Sequence, residues 1–271
     1  MGLAISSAQP MTLRALLFDL DGTLADTEAH GHRPAYNQAF QSLGLKFRWG
    51  SSLYGHLLKQ PTGKARLLHY LTRYEPELGE HAEAVGEHPE AWVEHVHALK
   101  AQNFRARLEA GQIPLRPGVA RLIRETARAG VRLALVTNAS TSTVQPFLKF
   151  GLKKELAECL DFVITTDGFL RQKPAPDLYQ QALRKLKLAP YECIAIEDSN
   201  VGLAAARAAG IPAVVTVNEL TAGEDFSAAS LVLDCLGEPN AAAHVLAGHM
   251  DEAFLSLKTL QRIAGQAAPR L

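Results

Sequence analysis

Cysteine is scarce: Cys159, Cys193 and Cys235 are the three in 271 residues, scattered along the chain and odd in number. That excludes a dense disulfide framework and any cysteine-based metal spacing. It points to a reducing compartment in which the thiols act as small apolar residues. An excess of charge of one sign is also missing. Lysine plus arginine equals aspartate plus glutamate at 28 each, so there is no global basic field to hold nucleic acid. No apolar run approaches the length a bilayer span requires, so no membrane partner is expected. The opening MGLAISSAQPMTLR has no signal-peptide apolar segment, and Met11 offers a second start. A cytoplasmic location follows as the expectation, or the plastid stroma if the source is a photosynthetic eukaryote. No Gly-x-Ser-x-Gly elbow is present, which removes support for a serine triad. No Walker loop or Gly-x-Gly-x-x-Gly appears, which argues against a nucleotide-binding Rossmann enzyme. With 47% apolar and 21% charged residues, the composition is that of an ordinary globular protein with ample core, in one large domain or two modest ones.

Against this plain background, Phe18 to Glu28 (FDLDGTLADTE) is distinctive. The apolar run Ala15, Leu16, Leu17 and Phe18 ends by delivering Asp19 and Asp21 into a turn begun by Gly22 and Thr23. In an open α/β sheet, ligands bind at the carboxyl ends of the strands. Two carboxylates placed there repel each other unless a cation sits between them. Taken alone, Asp-x-Asp-Gly could equally be a polar turn.

From Pro114 onward the chain alternates strand-like and helix-like segments. Residues 131–137 (VRLALVT), 162–165, 193–197 (CIAIE) and 213–217 (AVVTV) suit buried parallel strands, and 231–233 adds another. Helical stripes separate them: Tyr179, Ala182, Leu183 and Leu186, then Val201, Ala204, Ala205 and Ala208. Gly130 and Gly210 stand where helices are expected to stop. This alternation predicts an α/β fold with a doubly wound, Rossmann-like parallel sheet. The block 28–112 is different, rich in histidine, glutamate and arginine, with no convincing strand. It reads as an inserted helical cap domain, expected to act as a lid. The Rossmann-like core is thus expected over 12–27 and 113–271, and the cap over 28–112. Residues 240–271 read as an alanine-rich helical tail with no interpretable motif.

Four elements stand at the ends of predicted strands: Asp19 with Asp21; Thr137 with Asn138; Lys173 in RQKPAPD; and Glu197 with Asp198. A parallel sheet gathers such ends along one edge. The set suits phosphoryl transfer. A carboxylate can attack phosphorus and form an aspartyl-phosphate. Mg²⁺ prefers hard oxygen ligands. A lysine ammonium and a threonine hydroxyl can neutralise and hydrogen-bond the transferring group. A second acid must protonate the leaving alcohol and then activate water, and Asp21 is within reach of that role. Singly, Lys173 would be a solvated loop lysine, Thr137 an ordinary strand-end residue, and Asp198 or Ser199 a helix cap. Their order along the chain reverses those readings.

These segments, FDLDGTLADTE, VTNAS, KPAPD and IEDSNVGLAAARAAG, resemble the four ordered motifs of the haloacid-dehalogenase superfamily. The resemblance implies that Asp19 is the nucleophile and Asp21 the general acid/base, with Thr137 and Lys173 holding the phosphoryl group. It also implies Mg²⁺ ligation by Asp19, the backbone carbonyl of Asp21, and Asp198, with Glu197 in support. The insertion resembles the helical cap of the beta-phosphoglucomutase-like branch. Within that branch GHRPAYNQAF, LYGHLLKQPTGKARL, HALKAQNF and LRPGVARLI are similar to the CbbY-type sugar bisphosphate phosphatases. The implied substrate is a small phosphorylated sugar, xylulose-1,5-bisphosphate, a misfire product that inhibits Rubisco.

By position, the resemblance assigns Glu28 to the sugar hydroxyls and Tyr54 to the substrate's side, with Asn138 also at the substrate. Gly63, Lys64, Arg66, His97 and Lys100 are assigned to the distal phosphate. TGKAR agrees in kind, because it offers backbone donors and two cations. Pro61 and Thr62 depart from the pattern, since relatives have small residues or glycine before Gly63. His95 and His97 do not read as a metal pair, because two residues apart on a helix they face different sides. The alternatives are a sugar phosphomutase of the beta-phosphoglucomutase type, which shares the same core and cap, or a phosphatase for another small phosphorylated metabolite; a receiver-like phospho-aspartate switch is the non-enzyme alternative. The chain is expected to be a monomer or weak homo-oligomer.

Overall fold

The structure is a computed structural model that describes residues 13–168 and 171–269. Met11, and residues 12, 169, 170, 270 and 271 of the expected core range, lie outside the described residues. The strands are β1 (Ala15–Phe18), β2 (Arg132–Val136), β3 (Phe162–Ile164), β4 (Cys193–Glu197), β5 (Ala213–Thr216), β6 (Leu231–Leu233) and β7 (Val245–Ala247). The helices are α1 (Arg33–Ser42), α2 (Ser51–Leu57), α3 (Gly63–Tyr74), α4 (Ala82–Glu87), α5 (Pro89–Glu109), α6 (Val119–Arg128), α7 (Thr141–Pro146), α8 (Lys153–Ala157), α9 (Asp177–Leu186), α10 (Asn200–Ala208) and α11 (Leu257–Ala267). Among the described residues, no helix is long and apolar enough to cross a membrane.

The described residues form two compact units: 13–24, 116–141, 155–168 and 171–269 in one, and 25–115 with 142–154 in the other. The sequence gives no signal for the second unit's claim on 142–154, which follows β2 in the chain.

The first unit is built on one sheet in the order β3-β2-β1-β4-β5-β6-β7. Its pairs are parallel except β6 with β7. This is a doubly wound α/β sheet, and its winding reverses between β1 and β4. The central strands β1, β4 and β5 are buried at every position and read as mainly apolar runs without alternation, as strands covered on both faces do. Ala15 and Leu17 of β1 pack into a cluster with Tyr179 of α9 and Leu203 and Ala206 of α10. Gly130 (φ 71°) and Gly210 (φ 77°) sit just past α6 and α10, where the left-handed conformation ends each helix.

The tail corrects the sequence reading. Among the described residues of this tail, 240–269, only α11 is an α-helix, and β7 closes the sheet edge antiparallel to β6. A three-residue, exposed Val-Leu-Ala strand carries too little pattern to be read from sequence. α11 starts at Ser256, whose hydroxyl accepts from Thr259 N at 3.2 Å, and it buries Leu260 and Ile263.

The second unit is helical, as its sequence predicts. α1 and α5 pack together. Its core joins Tyr36, Phe40, Trp49, Tyr54 and Tyr70 in aromatic contacts 4.6 to 6.4 Å apart, centroid to centroid. Pro61 and Thr62 have a local explanation, because the Thr62 hydroxyl caps α3 by accepting from Ala65 N at 3.1 Å.

Leu17→Ala should test the central strand directly. Because Leu17 is fully buried, the replacement is expected to cost about 2–5 kcal/mol in urea unfolding. A loss below about 1 kcal/mol would mean that the sheet core is not packed around β1.

Candidate active site

The register of the sheet brings the acids together. Phe18 of β1 pairs with Ile196 of β4, and the ladder continues as Asp19 N donates to Ile196 O at 2.9 Å. Asp19 therefore leaves β1 level with Glu197, and Asp198 follows. Among the described residues, Asp19, Glu197 and Asp198 are the group whose carboxylate oxygens lie within 4.8 Å of one another, all buried. Lys173, 6% exposed, reaches in from the segment between β3 and α9. Its Nζ donates to Asp19 Oδ1 at 2.6 Å, to Glu197 Oε1 at 2.7 Å and to the carbonyl of Val136 at 2.7 Å. Thr137, 1% exposed, ends β2, and its hydroxyl accepts from Ala139 N at 3.0 Å.

Asn138 secures the lysine. Its Nδ2 donates to Lys173 O at 3.2 Å and its Oδ1 accepts from Lys173 N at 2.8 Å. Asn138, expected at the substrate, thus has its amide spanning the Lys173 backbone. Asp21 is half-buried two residues after Asp19.

Burial raises the proton affinity of Asp19, Glu197 and Asp198, and each reinforces the others. Asp198 is held well above the usual carboxylate range by burial and by repulsion from Asp19 and Glu197, against the pull of Arg116 and Asn218. Glu197 is pushed up to about 7 by burial, against Lys173. Asp19 is raised by burial, opposed by Lys173 and assisted by Asp21. Burial also works against the Lys173 ammonium, but Asp19 and Glu197 outweigh it and hold the amine above its ordinary range. One ammonium thus faces three carboxylates. Glu197 Oε2 is buried with no hydrogen-bond partner. An all-oxygen donor set with surplus negative charge and an orphaned oxygen fits a small hard divalent cation.

Two neighbours were not singled out as site residues. Tyr179 donates to Glu197 Oε1 at 2.5 Å, and Lys173 Nζ lies 5.0 Å from its ring centre. In the sequence Tyr179 reads only as the first residue of a core stripe, and its hydroxyl carries no separate signal. Gly202 is the other. A Cβ there would overlap the Glu197 carboxylate, so the first turn of α10 can approach only as glycine.

The expected substrate residues of the second unit form a cluster of their own. Tyr54 donates to Glu28 Oε2 at 2.5 Å, and Arg66 lies 3.8 Å from Glu28 Oε1. Lys100, 9% exposed, stands over the rings of Tyr36 (5.2 Å) and Phe104 (5.4 Å). Gly63 opens α3 against His97, whose Nε2 would be 2.8 Å from an added Cβ. Burial and the Lys100 charge depress His97 to about 4. Lys64 departs from the group: its side chain is half exposed and pairs with Glu94 at 2.5 Å. His32, buried and stacked on Phe104 at 4.1 Å, was not foreseen; burial and then Lys100 lower it to about 3.

Residues 13–210 match the haloacid dehalogenase-like hydrolase family. The chain belongs to the haloacid dehalogenase-like hydrolases. It is 43% identical to protein CbbY of Cupriavidus necator, over 84% of this chain and 87% of that one. The CBBY-like protein of Arabidopsis thaliana is 37% identical over 88% of this chain and 74% of its own. The crystal structure of CbbY from Rhodobacter sphaeroides in complex with phosphate superposes with a TM-score of 0.70 at 35% identity, covering 84% and 96% of the two chains. A mutant of that protein, in complex with xylulose-(1,5)bisphosphate, matches equally well. The chain is therefore a CbbY-type enzyme, a phosphoric monoester hydrolase, and the receiver-like switch is set aside.

His32 gives the second unit a pH dependence. A buried neutral histidine contributes stability that is present above its unfolded value of 6.5 and is lost as pH falls toward about 3. His32→Phe should flatten the stability profile between pH 6.5 and 4, where each such group contributes up to about 1.4 kcal/mol per pH unit. Wild-type and variant profiles that run parallel would contradict this.

Proposed function

We propose that the enzyme is a Mg²⁺-dependent phosphatase that removes one phosphate from xylulose-1,5-bisphosphate, giving xylulose 5-phosphate, through an aspartyl-phosphate. The observation that carries the chemistry is the Asp19–Lys173–Glu197 contact set beside Asp198. Asp19 attacks phosphorus, forming the Asp19–phosphate bond as the ester P–O bond breaks. Asp21 gives its proton to the departing sugar oxygen, then takes one from the water that attacks the same phosphorus and frees Asp19. Lys173 holds the Asp19 carboxylate in position, and with the Thr137 hydroxyl it offsets charge on the phosphoryl oxygens. Asp19, Asp198, Glu197 and the backbone carbonyl of Asp21 would hold Mg²⁺. When bound, Mg²⁺ supplies positive charge to the phosphoryl oxygens and offsets the repulsion among these acids.

The choice of sugar rests on the second unit and on likeness to the R. sphaeroides protein whose variant was crystallised with xylulose-(1,5)bisphosphate. A bisphosphate requires a second cationic site. Arg66, Lys100 and His97, with the amide end of α3 at Gly63, are assigned to its distal phosphate. Lys64 would have to exchange its Glu94 partner for phosphate. Glu28 and Tyr54, already bonded to each other, are assigned to the sugar hydroxyls.

Asp19→Asn should abolish phosphate release. Asp21→Asn should lower kcat by about 10²–10⁴-fold, since it removes both proton transfers. Wild-type turnover by either variant would refute the roles. Arg66→Ala should raise KM for xylulose-1,5-bisphosphate about tenfold or more, and much less for a monophosphate. Equal effects on both substrates would show that Arg66 does not hold a distal phosphate.

A further inference from the structure

Arg116 is the buried cation of the first unit that the proposed chemistry leaves unused. It is 7% exposed and lies just before α6. Its guanidinium collects carbonyl oxygens. Nη1 donates to Gly22 O, to Thr216 O at 2.9 Å and to Thr216 Oγ1 at 3.3 Å. Nη2 donates to Val217 O at 2.5 Å and to Asp234 O at 2.7 Å. Its own amide donates to Leu24 O at 2.9 Å. One side chain therefore ties the turn after β1 to the ends of β5 and β6.

Two of those three segments touch Asp198. Gly22 (φ 83°) packs so closely that a Cβ would overlap the Asp198 carboxylate. Thr23, next in the turn, donates to Asp198 Oδ1 at 3.4 Å. Asn218 follows Val217 and donates to Asp198 Oδ2 at 2.7 Å. We propose that Arg116 is a positioning residue for the acid cluster, fixing the Gly22 turn and the Thr216–Asn218 segment so that together they set the Asp198 carboxylate. This rests on the phosphatase reading for its purpose, though not for its geometry. A planar fork with two separated nitrogens is what the arrangement uses; a lysine ammonium carries equal charge at one point and cannot span the same carbonyls.

Arg116→Lys separates charge from geometry, and Asn218→Ala cuts the link to Asp198 with less risk to folding. Each variant is titrated calorimetrically with Mg²⁺ alone, and assayed with p-nitrophenyl phosphate at saturating Mg²⁺, well below its own melting temperature. For Arg116→Lys, Mg²⁺ affinity and kcat should each fall about tenfold or more, as removal of outer-shell partners does elsewhere, with KM within about twofold of wild type. Asn218→Ala should also weaken Mg²⁺ binding, and the double variant should be no worse than Arg116→Lys alone. Mg²⁺ affinity and kcat within about twofold of wild type in Arg116→Lys, or fully additive losses in the double variant, would overturn the proposal. If Arg116→Lys does not fold, unchanged Mg²⁺ affinity in Asn218→Ala overturns it as well. The Mg²⁺ isotherms need no turnover. Failure of the wild-type enzyme to release phosphate would count against the phosphatase reading, while the isotherms still decide the role of Arg116.

Discussion

Three carboxylates and one ammonium share a buried space at the carboxyl ends of β1 and β4, and much of the first unit can be understood as what that requires. Isolated charges are costly to bury, so the set persists only with its members paired and hydrogen-bonded. Lys173 Nζ spends its three donors on Asp19, Glu197 and the Val136 carbonyl. The Asn138 amide in turn fixes the Lys173 backbone. Asp198 takes donors from Thr23 and Asn218, and Arg116 secures the segments that carry them. Even so, negative charge stays in surplus and Glu197 Oε2 is left without a hydrogen bond. That surplus of negative charge is what the proposed divalent cation would offset.

The second unit handles charge differently. Two of its cations sit among aromatic rings: Lys100 over Tyr36 and Phe104, and Arg66 6.0 Å from the centre of the Tyr54 ring. Apart from Glu28, the residues assigned to substrate here are cationic, neutral or aromatic. His32 and His97 are kept neutral by burial and by Lys100. The cations Arg66 and Lys100 beside Glu28 suit the phosphorylated sugar proposed as substrate, with charge for the phosphate and Glu28 for hydroxyls.

Much of this was legible in the sequence because the sheet converts chain order into spatial order. Strand runs such as CIAIE end at the residue before Asp198, so finding the strands also located the acid cluster. Local pattern failed where a contact joins residues far apart in sequence. Arg116 reads as a lone arginine ahead of a Pro-Gly turn, and only the fold reveals its bonds to Gly22, Thr216, Val217 and Asp234. Tyr179 looks like one member of a helical stripe and His32 like one more histidine of a histidine-rich block, since burial and a polar or ring partner leave no separate trace. The seventh strand was misread as helix because three residues have no period. Lys64 and Arg66 looked equivalent in TGKAR, yet two residues apart on α3 they differ in exposure, 50% against 15%.

The central claim is that Asp19 becomes covalently phosphorylated during turnover. Rapid acid quench of the enzyme mixed with Mg²⁺ and ³²P-labelled xylulose-1,5-bisphosphate tests it most directly. The account predicts a hydroxylamine-labile label on the peptide that contains Asp19, appearing before free phosphate and decaying at the rate of its release. Phosphate release with no protein-bound label at any quench time, or label on a peptide lacking Asp19, would contradict it.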